Sequence, residues 1–246
     1  MRKSDNSIRF CCDFRTLNSR TIKDNHYLPI IDEAFDRLAG SKWFSTLDLK
    51  AGYWQLDMDP QDIPYTGFMA GCLGFYEWCH LPMGLTNSGA TFQRMIEAVM
   101  GSLNLQICLL YLDDVIVFAE DENTHLQRLD IILTKIEEAG LKLKPSKCCL
   151  FQKEVKYLGH IVSSEGVQTD PSKIEKVINW PVPTNIKQLQ RFLGFTGYYR
   201  RFVKDYARIA GPLHELLKGE CVRRKSGKKI SKSKSIIGSI ETSFLG

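Results

Sequence analysis

Twice between Lys42 and Phe118 a run of β-forming residues is interrupted by aspartate. Lys42-Trp43-Phe44-Ser45-Thr46-Leu47-Asp48-Leu49 reads as a strand, and Ala51-Gly52-Tyr53 after it as a turn. Leu109 to Phe118 is apolar except for Asp113-Asp114, which predicts a tight β-hairpin with the two aspartates at its bend. A helical period governs other stretches. Ile30, Ile31, Ala34, Phe35 and Leu38 share one face of a short helix closed by Gly40. Asn87 or Ser88 is placed to cap a helix through Phe92, Met95, Ile96 and Val99. Glu122 to Ala139 carries Leu126, Leu129, Ile132, Leu133 and Ile136 on one side and meets Gly140 at its end.

The remaining segments are less regular. Residues 8 to 14 alternate like a strand, Thr16 to Arg20 reads as a turn, and residues 54 to 80 suggest β structure broken by Pro60, Pro64, Gly67 and Gly71. Lys156 to Val162 with Ser163-Ser164-Glu165-Gly166 suggests a second hairpin. From Pro171 the character becomes helical: one helix over 172–180, a break at Pro181-Val182-Pro183, and a second helix capped by Thr184 and bearing Leu189, Phe192 and Leu193. The pattern as a whole predicts an α+β body followed by a helical arm, with a tail from Gly219 too polar to form a core.

Composition narrows this only a little. With 246 residues, 43% of them hydrophobic and 25% charged, the chain can bury a substantial core. The net charge of +5 arises in the tail: from Lys218 onward there are eight basic and two acidic residues, leaving 25 against 26 elsewhere. Its distribution is uneven. Residues 26 to 172 hold 11 basic and 20 acidic side chains, residues 173 to 208 eight basic and two acidic, so an acidic centre is flanked by an arm suited to phosphates. The eight cysteines show no Cys-x-x-Cys spacing and several fall in apolar runs, which predicts buried thiols and a reducing compartment. With no long apolar stretch and no signal-like N-terminus, an intracellular protein without membrane contact is expected, cytoplasmic or nuclear.

The adjacent carboxylates carry the chemistry. Two neighbouring anions repel, and a desolvated carboxylate is costly unless a cation compensates it. Asp-Asp can also simply make the turn. If the upstream strand pairs beside the hairpin, however, Asp48 converges on Asp113 and Asp114, and oxygen-only ligation of that kind suits magnesium and phosphoryl transfer.

Five motifs occur together: Asp13-Phe14-Arg15-Thr16-Leu17-Asn18, Leu47-Asp48-Leu49-Lys50-Ala51-Gly52-Tyr53, Leu81-Pro82-Met83-Gly84-Leu85-Thr86-Asn87, Tyr111-Leu112-Asp113-Asp114 and Phe192-Leu193-Gly194. In order and spacing this set resembles the reverse transcriptase domain of gypsy-class LTR retrotransposon (retrovirus-related Pol) polyproteins, from about Ile8 to Leu217. The resemblance implies an α+β right-hand polymerase: partial fingers and a ferredoxin-like palm with an antiparallel sheet over residues 1–167, and a helical thumb and the start of the connection over 168–218. After Lys218 the resemblance is lost, and composition predicts a basic, disordered tail over 219–246.

On that resemblance Asp48, Asp113 and Asp114, with the backbone carbonyl of Leu49, hold two Mg²⁺ ions, Mn²⁺ being the alternative. One ion activates the primer 3′-hydroxyl toward the α-phosphate of a dNTP and the other neutralises the pyrophosphate. The resemblance places Arg9, Tyr53 and Met83 in the dNTP pocket, with Arg2 or Lys3 assisting Arg9 and Tyr53 excluding a 2′-hydroxyl. Lys147 protonates pyrophosphate, and Asn87 and Gln93 lie near the template. Gly159 and His160 steady the primer terminus, and Lys187, Arg191, Arg200 and Arg201 follow the phosphate backbone.

Each residue also has a plainer reading: core packing for Tyr53, a helix cap for Asn87, a surface amide for Gln93, a surface lysine for Lys147, a partly buried ring for His160 and a solvated basic face for the thumb cations. Gly89 and Tyr65 depart from the family pattern, which has Pro and Lys there. The implied partners are an RNA or DNA template with primer, dNTPs, and an RNase H region elsewhere in a parent polyprotein. A fragment or decayed copy is expected, because the chain starts inside the fingers. The rival readings are an inactive nucleic-acid-binding remnant and a palm-fold nucleotidyl cyclase.

Overall fold

The computed structural model describes residues 10–27 and 29–222. Arg9, Arg2 and Lys3, and the tail from residue 223, lie outside the described residues. The chain divides into two compact units, Met1–Leu158 with Val162–Gly166, and Gly159–Ile161 with Val167–Gly246.

The first unit is built on a four-stranded antiparallel sheet of β1 (Trp43–Asp48), β4 (Cys108–Tyr111), β5 (Asp114–Ala119) and β6 (Cys149–Gln152), in the order β4-β5-β1-β6. Three helices precede or line it: α1 (Arg15–Arg20), α2 (Ile31–Arg37) and α3 (Ser88–Met100), and α4 (Glu122–Glu138) follows. Period-two alternation sends Leu47 of β1, Cys108 and Leu110 of β4, and Val115 and Val117 of β5 to one face. There they form a core with Phe92, Ile96 and Met100 of α3 and Leu129, Ile132 and Ile136 of α4, all under 5% exposed. Helix α4 starts where Asp121 accepts the Thr124 N–H and ends at Gly140, whose φ of +71° continues the chain in the left-handed conformation as predicted for a helix stop.

Other expectations fail for local reasons. Thr16–Arg20 is helical rather than a turn, stapled by the Asn18 N–H to Phe14 carbonyl bond, and no strand is present over residues 10–14. Residues 54–80 are mostly 3-10 turns, with only β2 (Phe68–Met69) and β3 (Phe75–Tyr76) as strands. The prolines and glycines in that stretch limit each strand to two residues. None of the seven described cysteines is bridged, yet only Cys108 is buried, its thiol pushed up to about 12 by burial; Cys11, Cys72, Cys79 and Cys149 are exposed, against the expectation of buried thiols.

Strands β7 (Glu154–Tyr157), β8 (His160–Ser163) and β9 (Gly166–Thr169) form a meander through which the division between the units passes. The second unit contains α5 (Pro171–Ile178), α6 (Ile186–Tyr198) and α7 (Tyr206–Val222) around Val177, Leu189, Phe192, Leu193, Ala210 and Leu213. Asp170 caps α5 and Asn185, not Thr184, caps α6; Thr184 instead donates to Gln188. Helix α7 runs through Val222, into the segment expected to be disordered from Gly219.

Candidate active site

Asp48 and Asp114 are directly opposed residues of the β1–β5 ladder. Tyr111 of β4 faces Asp114 from the other side, so the three residues form one rung across the sheet. Opposed residues project to the same face, and the strand alternation makes this the face away from α3 and α4. Asp113 and Leu112 form the two-residue connection between β4 and β5, with Leu112 at φ +52°. Sheet pairing thus gathers carboxylates from two segments distant in sequence.

Their electrostatics follow from that proximity. Burial, then the charges of Asp114 and Asp48, push Asp113 up to about 6, with Lys147 opposing. Asp114 is raised by burial and by Asp48, again against Lys147. One oxygen of Asp113, Oδ1, is buried with no hydrogen-bond partner, an orphaned acceptor beside two other carboxylates. Such an all-oxygen set fits a hard divalent cation. Among the described residues no three ligating side chains are already gathered into a metal cage, however. Asp48 Oδ2 instead accepts a charge-assisted hydrogen bond from Lys147 Nζ at 2.7 Å. The fold supplies neighbouring carboxylates rather than finished coordination.

Backbone bonds fix the surroundings. The Asp48 carbonyl accepts from Lys144 N–H, Leu49 N–H donates to the Asp113 carbonyl at 3.4 Å, and Leu49 bridges to Leu143, its side chain buried in the core. Lys147 ends the 3-10 turn Pro145–Lys147, which presents its ammonium to Asp48. Gly52 opens another 3-10 turn, Gly52–Gln55, and is buried; a Cβ there would lie 2.6 Å from Asp113 Oδ1 and 2.9 Å from Phe92 Cζ. Gln55 pins that turn by donating to the Lys50 and Lys142 carbonyls and accepting from Lys142 N–H. Tyr53 packs on Phe92 with ring centroids 5.3 Å apart, its hydroxyl raised by burial and by the Asp113 charge.

The other sequence-selected residues fare differently. Met83 stands in an exposed loop whose Gly84 carbonyl and Thr86 N–H are both held by the Asn18 side chain. Asn87 precedes α3 without capping it through its side chain: it accepts from Asp24 N–H and donates to the Ile22 carbonyl, strapping the 22–24 segment to the helix. Gln93 is no surface amide. It is fully buried, accepts the Leu112 N–H at 2.8 Å and donates to Glu97 at 2.7 Å. The sequence did carry a signal, because Gln93 shares the buried stripe of Ile96 and Met100 at helical spacing.

In the second unit His160 is 2% exposed, boxed by Tyr198, Tyr199 and Phe202 at about 5.2–5.3 Å between ring centroids, so its imidazole packs rather than facing solvent. Gly159, at φ +75°, lies against the Tyr199 hydroxyl, where a Cβ would approach to 2.9 Å. Lys187, Arg191, Arg200 and Arg201 are exposed. Sequence reasoning also passed over His125, fully buried in α4, whose Nε2 meets Ser45 Oγ at 2.7 Å beneath the sheet.

An antiparallel sheet backed by helices, with carboxylates on adjacent strands, is an α+β polymerase fold, and the chain belongs to the reverse transcriptase (RNA-dependent DNA polymerase) family, whose family model matches residues 1–162. Within it the chain is similar to retrovirus-related Pol polyproteins of Drosophila melanogaster transposons. It is 40% identical to that of transposon 297 over 213 residues (87% of this chain, 20% of the polyprotein) and 39% identical to that of transposon gypsy over 224 residues (90% and 22%). The chain therefore spans about a fifth of the length of these curated relatives. Among solved structures it is similar to foamy viral protease-reverse transcriptase in complex with dsDNA, with TM-score 0.84 and 25% identity, covering 99% of this chain and 50% of that one. A second structure, the foamy viral protease-reverse transcriptase dRH in complex with ds DNA, gives TM-score 0.86 at 24% identity, covering 99% of this chain and 42% of that one.

Proposed function

We propose that the chain is the catalytic portion of an RNA-directed DNA polymerase, a nucleotidyltransferase that adds dNTPs to a primer 3′-hydroxyl on an RNA or DNA template. The observation that carries this reading is the Asp48–Asp114 rung with Asp113 at the adjoining turn, the Asp113 and Asp114 pKa values both raised by burial and by neighbouring carboxylate charge. A site so arranged is unstable alone and ready for cations. On this reading residues 1–167 are partial fingers and palm, and 168–218 begin the thumb.

Asp48, Asp113 and Asp114, with the Leu49 carbonyl, would hold divalent ions, Mg²⁺ or Mn²⁺, whose chemistry is charge compensation at phosphoryl oxygens and acidification of a bound hydroxyl. The chain's own residues do the rest. Lys147 holds Asp48 while the carboxylates face one another and would supply the proton to a leaving pyrophosphate. Tyr53, fixed against Phe92, supplies a rigid floor for the incoming sugar that leaves no room for a 2′-hydroxyl. The exposed cations of the second unit bind phosphates without reading sequence. The foamy viral relative was solved with dsDNA, which supports a duplex as the ligand here.

The test is extension of a DNA primer on an RNA template with Mg²⁺. Asp113→Asn should lower incorporation about a thousandfold or more, the size of several kcal/mol of lost charge stabilisation. Primer-template binding without metal-dependent extension by the unaltered chain would overturn the proposal.

A further inference from the structure

We propose that Gln93, Glu97 and His26 form a relay, running from the buried Gln93 to the half-buried Glu97 and His26, that sets the turn of the carboxylate hairpin, with Gln93 the positioning residue acting on Asp113 through the Leu112 amide. The effect on catalysis rests on the polymerase reading above; the control of the turn does not.

Gln93 is fully buried, where an amide is tolerated only if its polar atoms are matched. Its Oε1 accepts the Leu112 N–H at 2.8 Å and its Nε2 donates to Glu97 Oε1 at 2.7 Å. The other oxygen of Glu97, Oε2, stands 3.2 Å from His26 Nε2. A carboxylate only accepts, so Glu97 dictates which end of the Gln93 amide faces it and leaves the carbonyl for Leu112. The orientation of one side chain is thereby set by its neighbour one helical turn on.

The far end is anchored as firmly. His26 N–H donates to Asp24 Oδ1 at 3.0 Å, Asp24 pairs with Arg94, and Asp24 N–H donates to Asn87. Asn87, Arg94 and Glu97 all belong to α3 or its first turn, so segment 22–26 is strapped along the helix that presents Gln93.

What the relay holds is a strained point. Leu112 has φ +52°, a conformation that costs a non-glycine residue free energy and persists only where surroundings enforce it. The next residue is Asp113, whose carbonyl accepts a long hydrogen bond from Leu49 N–H at 3.4 Å. Rotation at Leu112 would swing the Asp113 carboxylate away from the adjoining Asp48–Asp114 rung. Loosening the relay should therefore damage the chemical step and spare substrate binding.

The experiment uses the full chain and three variants. Gln93→Met keeps length and loses the amide. Gln93→Glu places a carboxylate against Glu97. The double variant Gln93→Glu/Glu97→Gln reverses the pair so that every donor keeps an acceptor, from Leu112 N–H through to His26. Amide hydrogen exchange at Leu112 is read beside single-nucleotide incorporation and primer-template affinity.

In Gln93→Met, exchange at Leu112 should quicken and kcat fall, each about tenfold as for loss of one buried hydrogen bond, with dNTP KM and duplex Kd within about twofold. Gln93→Glu alone should show the same defect. The reversed pair should return to within about threefold of the unaltered chain. Unchanged Leu112 exchange in Gln93→Met, a reversed pair no better than Gln93→Glu, or a loss confined to KM or Kd would each overturn the relay. Should Gln93→Met not fold, Gln93→Asn, too short to span Leu112 and Glu97, is read in the same way. If the unaltered chain incorporates nothing, the polymerase reading fails, while Leu112 exchange and its recovery in the reversed pair still decide the relay.

Discussion

Gly52 shows how little space the site leaves at the scale of a residue. Its missing side chain is the space occupied by Asp113 Oδ1 and the Phe92 ring. Gly52→Ala should displace both, cutting incorporation about tenfold or more, as misplacement of a reacting group does. A circular-dichroism spectrum and duplex affinity like those of the unaltered chain, with incorporation reduced, would bear this out; full activity would contradict it. Asp113 itself is a site of stored cost. Its folded carboxyl titrates near 6 against about 4 when unfolded, so the folded state holds the proton more tightly and loses stability as pH rises through that window. Asp113→Asn should therefore gain on the order of 1 kcal/mol at neutral pH even as it abolishes activity, a gain measured by urea unfolding without metal. The identity of the carboxylates was legible from residue type and spacing. For Gln93 the plainer reading as a surface amide fails, because its place on the Phe92–Ile96–Met100 stripe puts it in the core.

At the scale of elements, β1 and β5 matter most, since their register alone sets Asp48 opposite Asp114. A one-residue slip would send one of the two to the opposite face. Beneath the same strand, Ser45 Oγ accepts Phe151 N–H and meets His125 Nε2, tying β1, β6 and α4 together. Burial, and secondarily the Arg128 charge, lowers the His125 pKa below its usual 6.5. The unfolded chain then binds a proton on this ring more readily than the folded one. The stability it contributes is complete above about pH 6.5 and is lost as pH falls below that, by at most about 1.4 kcal/mol per pH unit. Urea midpoints between pH 7 and 5 should fall less steeply for His125→Gln than for the unaltered chain; parallel curves would refute it. Strands β1, β4 and β5 and helices α3 and α4 could be read from their patterns, but β6 could not. The 54–80 region could not, because its prolines and glycines interrupt a β-like composition and only tertiary contacts decide how such turns settle.

At the scale of the whole molecule, charge is divided between the two units. Residues 173 to 208 hold eight basic and two acidic side chains, and Lys187, Arg191, Arg200 and Arg201 among them are exposed. Phosphate contacts release counterions, so replacing these four by alanine should flatten the slope of log Kd against log salt by up to about 3 to 4. Fluorescence anisotropy of a labelled primer-template over a salt series measures it, and an unchanged slope would remove these residues from the duplex interface. Among the aromatic residues between them Phe192 is buried in the core, and Tyr199, Phe202 and one side of the exposed Tyr198 pack around His160.

Residue order and spacing by themselves carried the resemblance to the family, marked Asp48, Asp113 and Asp114 as candidate carboxylates, and predicted the long helices of the first unit and the charge of the basic arm, because motif order, local periodicity and composition are all written along the chain. Only the tertiary structure decided that Asp48 stands opposite Asp114, that Lys147 is drawn onto Asp48 and that Gln93 reaches the Leu112 amide. Those pairings join residues 19 to 99 positions apart. Strand register and burial, which no local window contains, bring them together.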